Sequence, residues 1–424
     1  MDTIYALSSG SPPAGIAVIR VSGDRAGGAL TALAGSLPEP RRASQRTLRG
    51  KQGDPLDDAL VLWLPGPGTA TGEDIAELHL HGGRAIVAAV EGALGSIAGL
   101  RRAGPGEFTR RAFTNGRMDL AEAEGLADLL SAETELQRRS AMALASGQLS
   151  VQVDEWRSDI LKLSAQVEAA LDFSDEDDVS SLPPQFSDEV TALTALLAGW
   201  LTRPRAERLR EGYRIVLAGP PNAGKSTLFN ALLEDEAAIT ASTAGTTRDV
   251  LERGVSFAGI PFTFVDTAGL RDESSDAIEG IGIERARKQL ALADLILWLG
   301  EEGAGPEASW EIDAKCDEED HISKQDPHFR ISAVEGAGLA ELRDALVDRA
   351  RASMPKPGVV ALNKRQHSLI EEAEGALSEI GSLSDPLLIG EQLRIARSAF
   401  DRLIGRASTE DMLDALFGRF CIGK

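Results

Sequence analysis

The spacing of apolar residues changes along this chain, and the changes divide it. Ile16 to Val21 (IAVIRV) and Ala59 to Leu64 (ALVLWL) are short β-rich runs. A helical stretch and a Pro/Arg/Gly-rich connection separate them, so residues 1–117 read as mixed α/β. From about Met118 the period becomes helical, through DLAEAEGLADLLSAETELQRRSAMALASGQLS and again over Val153 to Leu171. The acidic break DFSDEDDVSSLPP ends that run, and a further helix is expected from about Ser187 to Arg208. Residues 213 to about 350 alternate strand and helix patterns, the order of a parallel α/β domain. Helical spacing then returns in Leu369–Ile380 and Glu391–Arg402 and leads to a short tail, FCIGK. The expected fold class is multidomain α/β: an N-terminal α/β domain (1–117), a discontinuous helical domain (118–210 and 353–424), and an inserted parallel α/β domain (211–352). The chain shows no internal repeat.

The inserted segment carries chemistry. Gly219-Pro220-Pro221-Asn222-Ala223-Gly224-Lys225-Ser226 is a G-x-x-x-x-G-K-S loop between the apolar run Tyr213 to Leu217 and the helical run Thr227 to Leu233. Glycines let backbone N–H groups converge on phosphate oxygens, and the following helix adds its positive dipole end. Lys225 is suited to neutralise β- and γ-phosphates and Ser226 to ligate Mg2+. Further on, Asp266-Thr267-Ala268-Gly269 ends the apolar strand PFTFV, placing a carboxylate for the magnesium shell and a glycine N–H for the γ-phosphate. Between the two lies Ala241-Ser242-Thr243-Ala244-Gly245-Thr246-Thr247, in which Thr247 is suited to complete the magnesium shell as part of a switch. Ser332-Ala333 follows the short strand HFRI, where a guanine-contacting loop belongs. These pieces stand in the order and spacing of guanine-nucleotide-binding proteins, so the inserted domain (211–352) is expected to be a Ras-like P-loop GTPase domain.

Two departures from that pattern affect the expected chemistry. A guanine pocket is usually closed by Asn-Lys-x-Asp, but here the segment is Ala314-Lys315-Cys316-Asp317. Asp317 retains the carboxylate that accepts from guanine N1–H and the exocyclic amine. Ala314 cannot bond N7 or brace the phosphate loop, a loss of roughly 1–3 kcal/mol. Weak affinity is therefore expected. The preceding GEEGAGPEASWEI is short and rich in Gly and Glu where a helix and strand usually stand. The second departure is Leu270, which occupies the position of the water-orienting glutamine of Ras-like proteins. Water positioning must come from another residue, a cation or a partner.

Composition narrows the setting. With 44 basic and 66 acidic residues the net charge is −22, which works against non-specific nucleic-acid binding. Arginines do cluster at Arg101, Arg102, Arg110, Arg111 and Arg117 and at Arg203, Arg205, Arg208, Arg210 and Arg214, though solvated faces account for both clusters equally well. No apolar run approaches the ~20 residues of a membrane span, and the N-terminus lacks the pattern of a secretory signal. Cys316 and Cys421 are the only cysteines, which excludes a disulfide scaffold and fits a reducing, cytoplasmic setting.

Taken together, GTTRD (245–249), DTAGLR (266–271), IGIERA (281–286), PGEFTRRAFTNGRMDLAEAEGLADLL and the terminal CIGK resemble the MnmE (TrmE) family of tRNA-modification GTPases from end to end. The resemblance implies GTP hydrolysis with K+ in place of an arginine finger, held by Asn222 and by the Ala241–Thr246 loop (Ala241, Thr243 and Thr246). It implies a water-orienting glutamate at Glu279, with Glu273 and Glu284 as alternatives. It further implies a 5-formyl-tetrahydrofolate-type cofactor on the N-terminal domain, at Arg20, Glu77, Arg117 (where the family more often has lysine) and Lys424. Cys421 becomes a candidate functional thiol, against the alternative of a frayed tail residue. Partners implied are a second copy of the chain, a flavin-dependent MnmG-family subunit and tRNA. Together they would add an aminomethyl or carboxymethylaminomethyl group to the wobble uridine.

Two other readings stand beside this one. A GTP-gated RNA-binding or ribosome-assembly switch would require a basic RNA module and leaves CIGK unexplained. A folate-binding aminomethyltransferase with a degenerate nucleotide domain is kept open by the altered Asn-Lys-x-Asp motif.

Overall fold

The computed structural model describes residues 2–172, 182–233, 251–266, 287–319, 321–407 and 409–423. The chain forms two compact units. One comprises Met1–Ala127, Leu149–Arg157 and Arg397–Lys424, the other Asp128–Gln148 and Ser158–Ala396.

The first unit is built on a six-stranded sheet of β1 (Thr3–Leu7), β2 (Ile16–Ser22), β3 (Ser44–Arg49), β4 (Pro55–Leu64), β5 (Ile75–His81) and β6 (Leu100–Arg102), in the order β3-β4-β5-β2-β1-β6. All pairs are antiparallel except β1 with β6. Alternation along each strand sorts the side chains. Ala17, Ile19 and Val21 of β2 join Ala76, Leu78 and Leu80 of β5 in a core with Leu30, Leu33, Val90 and Leu94 from the helices Ala26–Ala34 and Arg84–Gly95. The intervening residues face the other way, and there the register sets Arg20 directly opposite Glu77. A smaller core joins Leu120 and Ala123 to Leu413, Phe417 and Phe420, so the end of the chain belongs to this unit.

The second unit contains the sheet β12-β11-β10-β7-β9-β8, made of β7 (Tyr213–Ala218), β8 (Leu251–Phe257), β9 (Ile260–Asp266), β10 (Leu295–Trp298), β11 (Trp310–Ala314) and β12 (Phe329–Ile331). All pairings are parallel except the β8–β9 hairpin. Lys225–Leu233 and Leu339–Ser353 supply Leu228, Leu232, Leu342 and Leu346 to its core. The GEEGAGPEASWEI segment does form its strand, β11, but among the described residues no helix precedes it. The Trp298 ring lies against this segment: a Cβ on Gly300 or Gly305 would fall 2.5 or 2.7 Å from it.

Two expected helices are broken in the structure. The run from Met118 splits into Leu120–Ser131 and Glu135–Ala145, because Thr134 and Gln137 form a capping box that starts a new helix. The run from Ser187 to Arg208 splits into Phe186–Leu201 and Ala206–Glu211. Pro204 lies in that gap, where its ring and missing N–H oppose helix continuation. Phe186–Leu201 packs against Lys364–Ile380, so helices from before and after the nucleotide sheet come together. Leu136, at the start of Glu135–Ala145, enters the nucleotide-domain core, and its N–H donates to the Gly259 carbonyl in the β8–β9 turn.

Candidate functional site

The phosphate loop leaves the buried end of β7 and turns into the helix Lys225–Leu233. Gly219 (φ 149°) and Gly224 (φ 91°) hold backbone angles that L side chains rarely adopt, and Asn222 is left-handed at φ 62°. A Cβ on Gly219 would also press to 3.1 Å from the backbone of Leu299 and Gly300. Lys225 is 5% exposed and donates Nζ to the carbonyls of Gly219 (3.0 Å) and Pro220 (2.7 Å). Its ammonium is thus held on the loop, where phosphate oxygens would compete for it. The Ser226 hydroxyl donates to Asp266 Oδ2 at 2.6 Å, and Asp266 is fully buried. A hydroxyl and a carboxylate at this spacing are the hard oxygen donors that Mg2+ takes, so the residues present fit that ion.

At the base end of the site, Lys315 is left-handed (φ 65°) and its stem covers Gly224, whose Cβ position lies 3.6 Å from Lys315 Cγ and 3.8 Å from Ala314 Cβ. Cys316 donates its N–H to the Ile331 carbonyl. Asp317 meets Ser332, whose hydroxyl hydrogen bond is the main cause holding the Asp317 carboxyl below its ordinary range. Ser332 is fully buried and its hydroxyl also accepts from Glu335 N–H, while Ala333 is half-buried in the turn. The structure thus gathers Asn222, Ala223, Gly224, Lys225, Ser226, Thr227 and Asp266 at one end, and Lys315, Asp317, Ser332 and Ala333 at the other. Ala241 to Thr247, Thr267 to Gly269, Leu270, Glu273, Glu279, Glu284 and Lys424 lie outside the described residues.

In the first unit Arg20 donates Nε and Nη2 to Glu77 Oε1 at 3.0 and 2.8 Å, and His79 Nε2 lies 3.3 Å from Glu77 Oε2. Burial pushes the Glu77 carboxyl up, but the Arg20 hydrogen bond and charge, with His79, outweigh it and leave the group below its ordinary value. His79 was not legible from motifs; its place two residues along β5 from Glu77 is the signal that would have found it. The Arg20 guanidinium also stands 6.0 Å from the Phe108 ring centroid. Arg117 instead donates to the Thr69 carbonyl (3.1 Å).

Cys421 is exposed, yet the tail around it is seated rather than frayed. Ile422 bridges Pro105 in antiparallel fashion, and Gly106 N–H donates to the Cys421 carbonyl at 3.5 Å. Two glycines allow this fit. A Cβ on Gly106 (φ 64°) would sit 2.2 Å from the Phe417 carbonyl oxygen, and one on Gly423 (φ 97°) 2.0 Å from that of Leu7. PGEF and CIGK, distant in sequence, are therefore adjacent.

Most arginines of the two clusters are occupied within the fold. Arg101 pairs with Asp2 and Glu107, Arg102 with Glu91, Arg110 with Glu410 and Asp414, and Arg111 with Asp2 and Glu73. Arg208, Arg210 and Arg214 pair with Asp294, Asp128 and Glu252, and Arg203 stacks on Trp200. Neither cluster argues for RNA contact. Among the described residues no helix is long and apolar enough to cross a membrane.

Comparison with known proteins agrees with this geometry. Residues 3–117 match the family model for the GTP-binding protein TrmE N-terminus, and residues 120–421 that for the MnmE helical domain. The tRNA modification GTPase MnmE of Erythrobacter litoralis is 63% identical over 424 residues, covering all of both chains. That of Novosphingobium aromaticivorans is 62% identical over 435 residues, again with full coverage of both. Among solved structures, Aquifex aeolicus Era aligns at 26% identity over 39% of this chain and 66% of its own, with a TM-score of 0.24, too low to bear on function. A phosphate loop whose Ser226 hydroxyl meets buried Asp266, a TrmE-type N-terminal domain, and full-length identity above 60% to two such enzymes lead to one conclusion: the chain belongs to the MnmE (TrmE) family of tRNA modification GTPases.

Proposed function

We propose that this GTPase is stimulated by K+ and works with a flavin-dependent MnmG-family subunit to add an aminomethyl or carboxymethylaminomethyl group to C5 of the wobble uridine of certain tRNAs. The proposed division of labour follows three regions. Residues 1–117 bind a one-carbon tetrahydrofolate and dimerise, 118–210 with 353–424 form the helical domain, and 211–352 hydrolyse GTP in the cytoplasm. Lys225 and the loop N–H groups bind the phosphates, while Ser226 and Asp266, completed by Thr247, hold Mg2+. Asn222, with Ala241, Thr243 and Thr246, would hold K+, whose charge offsets that developing between the β- and γ-phosphates. Glu279 orients water, which Leu270 cannot do. Arg20 is suited to a folate carboxylate, with Glu77 fixing its guanidinium; Arg117 and Lys424 complete that site.

The observation that carries the modification reading is the seating of the Cys421–Gly423 tail on the PGEF segment. Two Cβ-intolerant glycines maintain it, a fit that GTP hydrolysis alone does not require. The test is nucleoside analysis of tRNA from cells lacking this protein, complemented with the parent chain or with Cys421→Ser. Loss of the modified wobble uridine, restored only by the parent chain, is expected. Unchanged tRNA nucleosides in the deletion would overturn the reading.

A further inference from the structure

Ala314 removes the asparagine that normally braces the guanine-reading loop, yet Lys315 and Asp317 are still held in position. The brace lies one residue earlier. Asp313, on β11, is 1% exposed. Its Oδ1 is 2.7 Å from His321 Nε2. A buried carboxylate only accepts, so Nε2 carries the proton and donates. Asp313 Oδ2 makes no hydrogen bond and lies 3.5 Å from Arg330 Nε on β12. His321 stands just beyond the turn 316–319 that follows β11, so the bond closes a ring around that turn. Inside the ring, Glu318 N–H donates to the Lys315 carbonyl, His321 N–H donates to the Glu318 carbonyl, and Lys315 Nζ pairs with Glu318 at 2.9 Å. Only 16% of the His321 side chain is exposed, so water competes weakly for the clasp.

We propose that the Asp313–His321 clasp takes over the loop-bracing work of the missing asparagine, making His321 a positioning residue for guanine recognition by Lys315 and Asp317. The physical basis is conformational. Lys315 occupies a left-handed angle that a non-glycine residue holds only when its surroundings fix it. A tie across the turn removes the alternatives that would carry Asp317 away from the base edge. Bracing restores position but not the lost N7 contact, so the clasp preserves selectivity for the guanine Watson–Crick edge without restoring full affinity.

The inference rests on reading Asp317 as the guanine acceptor, and the experiment separates the two. GDP and IDP affinities of the full chain are measured by displacement of a fluorescent GDP analogue, for the parent and for His321→Ala, His321→Gln and Asp317→Ala. IDP lacks the exocyclic amine, so the GDP/IDP ratio reports on Asp317 placement. His321→Ala is expected to weaken GDP about tenfold and bring the ratio towards one, with kcat for GTP at saturation within about twofold of the parent. His321→Gln, which retains an N–H donor, should recover most of the loss. Unchanged GDP affinity and ratio in His321→Ala, with Asp317→Ala impaired, would overturn the clasp alone. No effect of Asp317→Ala would overturn the guanine-site reading and the clasp with it. Circular dichroism melting of each variant confirms folding, and His321→Leu, which keeps most of the side-chain volume but has no donor, carries the test should His321→Ala unfold, with the same loss expected and parent-like GDP affinity and ratio overturning the clasp.

Discussion

Gly423→Ala tests the tail most directly, because the methyl has no free direction. The backbone is at φ 97°, and the ideal Cβ falls 2.0 Å from the Leu7 carbonyl oxygen, 2.8 Å from its carbon and 3.0 Å from Ser8 Cα. Holding a non-glycine residue in such a conformation costs on the order of 1–3 kcal/mol before any clash is relieved. Relief is expensive, since the obstacle is β1 backbone and not a flexible side chain. Against this stands the Pro105–Ile422 bridge, whose Gly106–Cys421 hydrogen bond contributes roughly 0.5–1.5 kcal/mol. The strain equals or exceeds what seats the tail, so the substituted tail should leave its groove while Phe420, buried upstream, keeps the rest of the unit intact. The assay is the rate at which carboxypeptidase removes Ile422. About a tenfold acceleration is expected, equivalent to ~1.4 kcal/mol of lost docking, with melting temperature and GTP hydrolysis unchanged. Digestion at the parent rate would refute the reasoning.

Three further outcomes are expected. Ser226→Ala should cut kcat for GTP by about 10²–10³-fold, on the scale of losing one electrostatic contact in a transition state, and raising Mg2+ should not restore it; a fully active variant would remove Ser226 from the magnesium site. Asn222 is left-handed, so Asn222→Ala adds backbone strain to ligand loss whereas Asn222→Gly does not; both should abolish stimulation by K+ over Na+, and stimulation persisting in Asn222→Gly would exclude the side chain as a ligand. The folded Glu77 carboxyl lies below its ordinary value, so the stability it contributes is complete above the unfolded value of about 4.3 and declines as pH falls through the folded one. The melting-temperature gap between the parent and Glu77→Gln should therefore not shrink from pH 8 to 5 and narrow only below about 4.3; narrowing already between pH 7 and 5 would contradict the pairing with Arg20.

Local chemistry was legible in the sequence because it depends on neighbours along the chain. The phosphate loop needs glycines at fixed offsets, and Gly219 and Gly224 do adopt the backbone angles that motif requires. Strands β2 and β4 followed from β-rich apolar runs. Long-range pairings were not legible in this way. Nothing in the spacing of Arg20 and Glu77 reveals that they face each other across two strands, and Leu136 gives no sign that it belongs to a core formed mostly by residues far downstream. The arginine clusters were ambiguous for the same reason, since their carboxylate partners, such as Glu410 and Asp414 for Arg110, are remote. Pro204 is different: it is visible in the sequence, and its ring and missing N–H lie in the break of a helix that the apolar spacing on either side would continue.

The β8–β9 hairpin links the phosphate end of the nucleotide site to a helix outside it. Each strand spans seven residues, or about 20 Å at a rise of ~3.3 Å per residue. At one end sits Asp266 beside Ser226; at the other, the Gly259 carbonyl accepts from Leu136 at 3.1 Å. A hydrogen-bonded ribbon resists stretching along its axis, so it behaves as a pushrod: a displacement of the magnesium-side end arrives at the helix Glu135–Ala145 with little loss. That helix lies outside the segment that binds nucleotide, and its first turn is the place where movement at the phosphates would be felt as movement of the scaffold.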